Sequence, residues 1–358
     1  MKYKLKTVLK IIEYLQLILL WILAFLYYVF LTYSIIDEDY IYQNGIKASD
    51  FLVSELIGVL FVGTFMGTIF FLLQEYVFCR FFQKYGILIT VLFQTILFIM
   101  SCFVVLLMLI GLNKADYITI NNFFLLQIDF RSMVSFIFYC LVVHVFITLI
   151  HTFRRRLGRN YFKSLLQGKY ITPVIEYRAF MFLDMYDSSA VAENVGHYNY
   201  SLLLQECFAD LSELLINHGA EIYQYVGDEA VITWKISLDF DRQKCIDLYN
   251  AFSVRLLQKQ DFYQNKFGLV PKFKGSVNEG LVTVAEIGQI KTEIAYHGDV
   301  LTTAARVRNL CNDYQADLLI TQSFFEQLLS FEQESFTAID RTILRGKKKP
   351  ITIYKSLY

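Results

Sequence analysis

Two aspartates stand where apolar strands end, and each end would push a carboxylate into the open. Asp184 follows the run Ala179-Phe180-Met181-Phe182-Leu183 and is followed by Met185-Tyr186-Asp187-Ser188-Ser189. Asp228 lies in Glu221-Ile222-Tyr223-Gln224-Tyr225-Val226-Gly227-Asp228-Glu229-Ala230-Val231-Ile232-Thr233-Trp234, where runs rich in Ile, Val, Tyr and Trp flank a Gly-Asp pair. That pattern predicts a β-hairpin with its tight turn at residues 227 and 228. If the two strands are neighbours in one sheet, Asp184 and Asp228 converge and can hold divalent cations, which take oxygen ligands. Directly after Asp184, the Asp187-Ser188-Ser189 cap opens a helix whose free amides point at whatever sits there. A plain N-cap uses the same three residues equally well.

The elements that must position these carboxylates fall in residues 171 to 358, where strand and helix signals alternate. Strands are predicted near 176 to 186, 221 to 226, 230 to 235, 270 to 277, 280 to 287, 291 to 297, 316 to 320 and 351 to 355. Helices are predicted near 188 to 217, 241 to 263, 299 to 312 and 322 to 330. The length fits one domain, an α+β sheet with helices on one face. No internal repeat or low-complexity segment appears. The six cysteines, at 79, 102, 140, 207, 245 and 311, show neither CxxC pairs nor zinc spacing, and read as buried or lipid-facing residues of a reducing compartment.

The rest of the 358-residue chain has a different character. With 56% hydrophobic residues, 17% aromatics and a mean hydropathy of +0.43, it is too apolar for an ordinary soluble protein. Four stretches, near 14 to 36, 53 to 78, 85 to 112 and 130 to 152, are long enough to cross a bilayer. The first is too long to be a cleaved leader. The net charge of zero hides a segregation. Lys2, Lys4, Lys6, Lys10, Arg80, Lys84 and Arg154-Arg155-Arg156 flank the spans on one side, while Asp37, Glu38, Asp39 and Asp50 lie in a link on the other. Basic flanks mark the cytoplasmic side, so both termini are expected there, in an inner membrane. Polar exceptions inside the spans are Glu55, Gln74, Glu75, His144 and His151; His144 is the deepest, a candidate ligand or ion position, whereas Glu55, Glu75 and His151 can reach water near the interfaces. Residues 154 to 170 read as a juxtamembrane helix that touches anionic lipid, pairs with its twin, or does both. The expected division is a membrane domain at 1–153, a coupling helix at 154–172 and a catalytic domain at 173–358.

In order, Phe182-Leu183-Asp184 with Ser188-Ser189, Tyr225-Val226-Gly227-Asp228-Glu229, Gly280, Gly288 and Tyr296-His297-Gly298-Asp299-Val300-Leu301-Thr302-Thr303-Ala304-Ala305-Arg306 resemble the catalytic domain of class III nucleotidyl cyclases, the adenylate and guanylate cyclase family. The resemblance covers roughly residues 175 to 355. It implies a ferredoxin-like α+β domain that turns a nucleoside triphosphate into a 3′,5′-cyclic monophosphate and pyrophosphate, behind a four-span anchor. It further implies two Mg2+ or Mn2+ per site on Asp184 and Asp228, with the Met185 carbonyl as an extra ligand. Arg306 matches the arginine that stabilises charge on the α-phosphate, and it would come from the partner of a homodimer. Lys347, in Leu344-Arg345-Gly346-Lys347-Lys348-Lys349-Pro350, matches the family's triphosphate lysine, and Ser188 and Ser189 lie at the phosphate helix. A solvated basic turn explains Lys347 as well.

The chain departs from the family pattern at three places. Thr302 stands for the asparagine that orients the ribose, and Gln224 and Glu293 stand for the lysine and aspartate that read adenine. Gln224 and Glu293 can still bond a base edge, which leaves ATP first and guanine or a pyrimidine as alternatives. A cyclase-like scaffold inactivated at Thr302 is the other class of reading. A diguanylate cyclase ranks lower, because Val226 and Ala230 break that signature, and a transporter would leave the C-terminal domain unexplained. No nucleic-acid partner is implied.

Overall fold

The computed structural model describes residues 2–33, 48–78, 85–114, 130–347 and 350–357. It divides into two compact units, essentially residues 3–162 and 163–358.

The first unit is helical: α1 (Lys2–Tyr33), α2 (Ala48–Leu72) continued by a π-helical turn Leu73–Phe78, α3 (Ile87–Lys114) and α4 (Phe130–Leu157). Among the described residues three segments are long and apolar enough to cross a membrane: Lys10–Leu31, Leu56–Tyr76 and Val134–Arg154. Their outward apolar side chains, such as Leu19, Phe30, Phe61 and Phe146, are exposed, as expected of a surface that meets lipid. In α3 the described apolar stretch is shorter, Ile87–Ser101, because most side chains beyond it lie outside the described residues. Three of the four expected spans are therefore candidates, and the one at 85 to 112 falls partly outside the described residues. The acidic link at 37–39, Arg80 and Lys84, and the side chains of Asp50, Glu55, Arg155 and Arg156, also lie outside what the structure describes.

Small residues let α1 and α2 approach closely, since a Cβ added at Gly63 or Gly67 would come within 2.8 Å or 2.7 Å of Ile22 or Ile18. Trp21, Phe70 and Phe98 fill the interior. His144 is buried there, stacked on Phe98 with centroids 4.1 Å apart and with Nε2 3.4 Å from Thr148 Oγ1. The other described polar exceptions have partners: Gln74 donates to Gln94 at 3.2 Å, Glu75 pairs with Lys10, and His151 Nε2 lies 3.0 Å from Glu13. The juxtamembrane helix is broken rather than continuous. Gly158 takes φ 87°, a conformation a side chain resists, and α5 (Arg159–Leu166) starts afresh after it.

The second unit is a mixed eight-stranded sheet in the order β2-β3-β1-β4-β6-β8-β7, with β5 paired to β4 off that path. Its strands are β1 (Val174–Met185), β2 (Glu221–Val226), β3 (Glu229–Lys235), β4 (Phe273–Ile287), β5 (Glu293–His297), β6 (Leu318–Thr321), β7 (Phe336–Thr342) and β8 (Ile351–Ser356). All pairings are antiparallel except β4 with β6. Period-two alternation sorts β1 between two layers. Ala179, Met181, Leu183 and Met185 join the core under α7 (His197–Leu215) and α8 (Gln243–Gln258), with Leu203, Leu211, Trp234 and Phe252. Phe180 and Phe182 face the opposite side with Val282, Val284, Val300 and Ala304, under α10 (Asp299–Asn309). Helices thus cover both faces, not one.

Expected boundaries moved where local signals misled. The helix at 188 to 217 is split by Gly196 at φ 79° into α6 (Ser188–Val195) and α7, and the helix at 241 to 263 breaks at Lys259 between α8 and α9 (Gln260–Phe267). Asn278-Glu279, read as a gap between two strands, is the middle of β4. There Asn278 donates to the Val300 carbonyl at 2.9 Å, and glycine is needed because a Cβ at 280 would meet Val300 at 2.8 Å. Strand β7 and the short helices α11 (Gln322–Phe325) and α12 (Ser330–Gln333) complete the unit.

At the start of β1, buried Glu176 receives Lys169 at 2.8 Å, Arg178 at 2.8 Å and Lys235 at 2.9 Å. Burial pushes its carboxyl up, but hydrogen bonds from Lys169, Lys235 and Arg178 outweigh it and hold it at about 2. A carboxyl held below its ordinary value adds stability above that value and loses it as pH falls through the folded one. Glu176→Gln is therefore expected to cost about 3 kcal/mol at pH 7, since it leaves buried Arg178 without its carboxylate. The gap to the parent protein should close as denaturation is measured from pH 5 down towards 2.

Candidate active site

Antiparallel pairing puts Asp184 directly between Glu229 on β3 and Lys274 on β4, so two carboxylates and one ammonium form one row across three strands. The two-residue turn after β2 places Asp228 next to Glu229, with Gly227 at φ 62° making the reversal. The hairpin carries Asp228 back over the end of β1, within hydrogen-bonding reach of Asp184. Alternation sets Asp184 on the same face as Phe180 and Phe182, the face that α10 covers.

That helix delivers Arg308. Its Nη1 donates to Asp184 Oδ2 at 2.8 Å, and Nη2 lies 2.7 Å from Glu229 Oε2 without hydrogen-bond alignment. Lys274 Nζ is 3.4 Å from the same Asp184 oxygen and donates to Asn312 at 3.0 Å. Burial raises the Asp184 carboxyl, and the Asp228 charge raises it further against Arg308 and Lys274. Glu229 is likewise raised, first by burial and then by Asp184 and Asp228, with Arg308 opposing. Tyr200 of α7 ties the next element in: its hydroxyl bonds Ser188, and burial with the Asp228 charge raises it.

Ser188 opens α6, but the expected cap differs in detail. Asp187 sits at the cap in a left-handed conformation, φ 50°, and its side chain makes no capping bond. The first amides of α6 are not capped by it. Met185 closes β1 with its side chain in the core, so only its backbone remains for a ligand role. Ser189 is exposed.

Thr302 and Arg306 lie one helical turn apart on α10, Thr302 exposed and Arg306 partly so. The Arg306 guanidinium rests beside Gly346, whose Cβ position would be 3.5 Å from Nη2, and it has no ion pair among the described residues. Lys347, next in that turn, pairs with Asp299 at the first position of α10. The structure thus groups Thr302, Arg306 and Lys347 along α10, and Asp184, Asp228 and Ser188 around the ends of two strands. Residues two apart on a helix do not share a face, so Arg306 and Arg308 point to different sides.

Gln224 and Glu293 are not brought together within one chain. Gln224 is exposed on β2 opposite Val231, with three strands between it and β5, where Glu293 pairs with Lys291 at the hairpin tip. Lys348 and Lys349 lie outside the described residues. Arg308, Lys274, Glu229 and Tyr200 were not assigned from sequence. Arg308 was the most accessible of them, because it lies two residues beyond Arg306, but its target depends on which face of β1 the helix covers.

Chemically, the pair Asp184 and Asp228 offers what a hard divalent cation binds, carboxylates held close enough for the Asp228 charge to raise Asp184. Among the described residues no cluster of three or more acidic, His or Cys side chains completes a protein-only cage. Two carboxylates with remaining positions left to water and phosphate suit magnesium, which keeps several waters and commonly bridges to substrate phosphates.

A family model described as the adenylate and guanylate cyclase catalytic domain matches residues 174–355. The chain is 34% identical over 175 residues to adenylate cyclase 2 of Rhizobium meliloti (strain 1021), covering 49% of this chain and 48% of that protein. It is 24% identical over 180 residues to adenylate cyclase 1 of the same strain, covering 49% of this chain and 26% of that one. The chain thus spans about half the length of the first relative and about a quarter of the second. Among solved structures, a bacterial light-regulated adenylyl cyclase aligns with a TM-score of 0.53 at 16% identity, over 64% of this chain and 68% of that one, a likeness of fold.

Proposed function

Because this chain belongs to the adenylate and guanylate cyclase catalytic-domain family, we propose that it is a membrane-bound nucleotidyl cyclase that forms cyclic AMP from ATP as a homodimer. One observation carries the reading: β1 and the β2–β3 turn bring Asp184 and Asp228 together on a flank that also holds the start of α6. The adenylate cyclase names of both relatives favour adenine over the other bases.

In this reading Asp184 and Asp228, with the Met185 carbonyl, hold two divalent cations, Mg2+ or Mn2+. Bound there, the cations would neutralise phosphate charge and ease ionisation of the ribose 3′-hydroxyl. Everything else is positioning and charge complementarity, since in-line displacement at phosphorus asks little covalent chemistry of a protein. The uncapped amides of α6, with Ser188 and Ser189, face the triphosphate. Lys347 adds a cation to the phosphates once it leaves Asp299. Arg306, always protonated and planar, meets the charge that builds on the α-phosphate, and Thr302 on the same helix face bonds the ribose. Because Arg308 of the same helix faces Asp184, Arg306 faces away from its own chain's carboxylates, which supports its service to the site of a partner copy. Gln224 reads the base edge from β2; Glu293, exposed at a hairpin tip, is kept for a base contact made across the dimer. The apolar helices support a membrane anchor, with four spans and cytoplasmic termini as the arrangement proposed.

Mass spectrometry of products after separate incubation with ATP, GTP, CTP and UTP, with Mg2+ or Mn2+, tests the function. The expected result is one 3′,5′-cyclic monophosphate, from ATP, released with pyrophosphate. No turnover of any nucleotide by folded, dimeric protein would replace the enzyme reading with a scaffold, and a cyclic product from another base would replace the substrate.

A further inference from the structure

The guanidinium of Arg308 takes one of the two carboxylate oxygens of Asp184. It takes Oδ2 at 2.8 Å, and Lys274 lies 3.4 Å from that same oxygen. Three carboxylates, Asp184, Asp228 and Glu229, face two fixed cations, Arg308 and Lys274, which leaves a net charge of −1 for an incoming divalent ion instead of −2 without Arg308. A permanent strut would use the whole guanidinium fork. Arg308 does not. Its Nη2 contact with Glu229 lacks hydrogen-bond alignment, its Nε is buried with no hydrogen-bond partner among the described residues, and only the Nη1 bond to Asp184 is well formed. A buried donor left unmade weakens the hold of such a group, and with the side chain 21% exposed the guanidinium has a way out to solvent.

We propose that Arg308 is a built-in counter-ion that competes with divalent cations for Asp184, so that the metal enters with the nucleoside triphosphate rather than ahead of it. The inference rests on the reading that Asp184 and Asp228 hold the metal. A bare divalent ion must displace one positive charge and sit beside a second, Lys274. A cation carried by a triphosphate brings several negative charges of its own, and these offset the displaced guanidinium. The residue therefore lowers affinity for free metal while leaving the loaded site intact, and the order of loading follows from charge.

The test uses the full chain in lipid nanodiscs, with Mn2+ titrated in the absence of nucleotide and free Mn2+ read by electron paramagnetic resonance. Arg308→Gln is expected to bind Mn2+ at least about tenfold more tightly than the parent protein, because a unit charge a few ångströms from the ion is removed. The gain should vanish when Asp228→Asn is added. Equal or weaker binding by Arg308→Gln overturns the proposal. Mn2+ binding by Arg308→Gln that is indifferent to Asp228→Asn and Asp184→Asn sinks the metal-ligand reading itself, a separate outcome. Should Arg308→Gln fail to fold by thermal unfolding, Arg308→Lys keeps the charge but cannot span Asp184 and Glu229. It is expected to bind Mn2+ about threefold more tightly than the parent, and no change in it overturns the proposal equally.

Discussion

Asp228→Ala is expected to lower cyclic nucleotide formation by at least about a thousandfold, the equivalent of about 4 kcal/mol of lost transition-state stabilisation. It should do so without loss of fold. Asp228 sits half-buried in a hairpin turn, and its charge pushes the buried Asp184 carboxyl up, so at neutral pH the pair costs the folded state free energy. Removing Asp228 relieves that repulsion. The melting temperature should therefore stay level or rise while activity disappears, the pattern of a residue kept for chemistry at the expense of stability. A melting temperature that falls in step with activity would assign Asp228 a structural role instead. Asp184→Asn should give the same loss of turnover, but its stability can move either way, since it also gives up the 2.8 Å bond from Arg308.

The second large effect is expected at Arg306. Truncating one donor that stabilises charge in a transition state typically costs a factor of about 10²–10³, and Arg306→Lys should recover little because the planar fork is lost. The more informative result comes from mixing. When Asp228→Ala and Arg306→Ala chains are co-expressed, random pairing makes half of the dimers mixed. If Arg306 serves the partner's site, each mixed dimer keeps one intact site of its two, and about one quarter of the parent rate returns. If Arg306 serves its own chain, no mixed dimer has an intact site and the rate stays at background. In co-purified, doubly tagged dimers, all of them mixed, the first case gives about half of the parent rate and the second gives background.

Much of this site could be read from residue order. The Gly-Asp turn between two β-branched and aromatic runs announced its hairpin, and the apolar run before Asp184 announced its strand, because both signals are local. What escaped was decided at a distance. Arg308 looks like any polar residue on a helix until α10 is known to lie over the Phe180–Phe182 face, opposite the α7 and α8 layer. The middle of β4 looked like a break between two strands at Asn278-Glu279, since Asn and Glu disfavour strands. Tertiary contacts with Val300 and α10 override that preference. Strand β7, Phe-Thr-Ala-Ile-Asp-Arg-Thr, was missed because an edge strand pairs on one side only and carries few apolar residues. Gln224 and Glu293 were paired by motif position alone, and three intervening strands separate them.

The alternation along β1 has a consequence for how such a chain can change over generations. Odd positions from 179 to 185 anchor the interior, and the even position 184 serves the site. Inserting or deleting one codon within that run would exchange the two roles, turning an aspartate inward and a leucine outward. Lineages of this protein can therefore drift in residue type along β1 yet not in its length, and paired two-codon changes are the only length variants the strand can absorb.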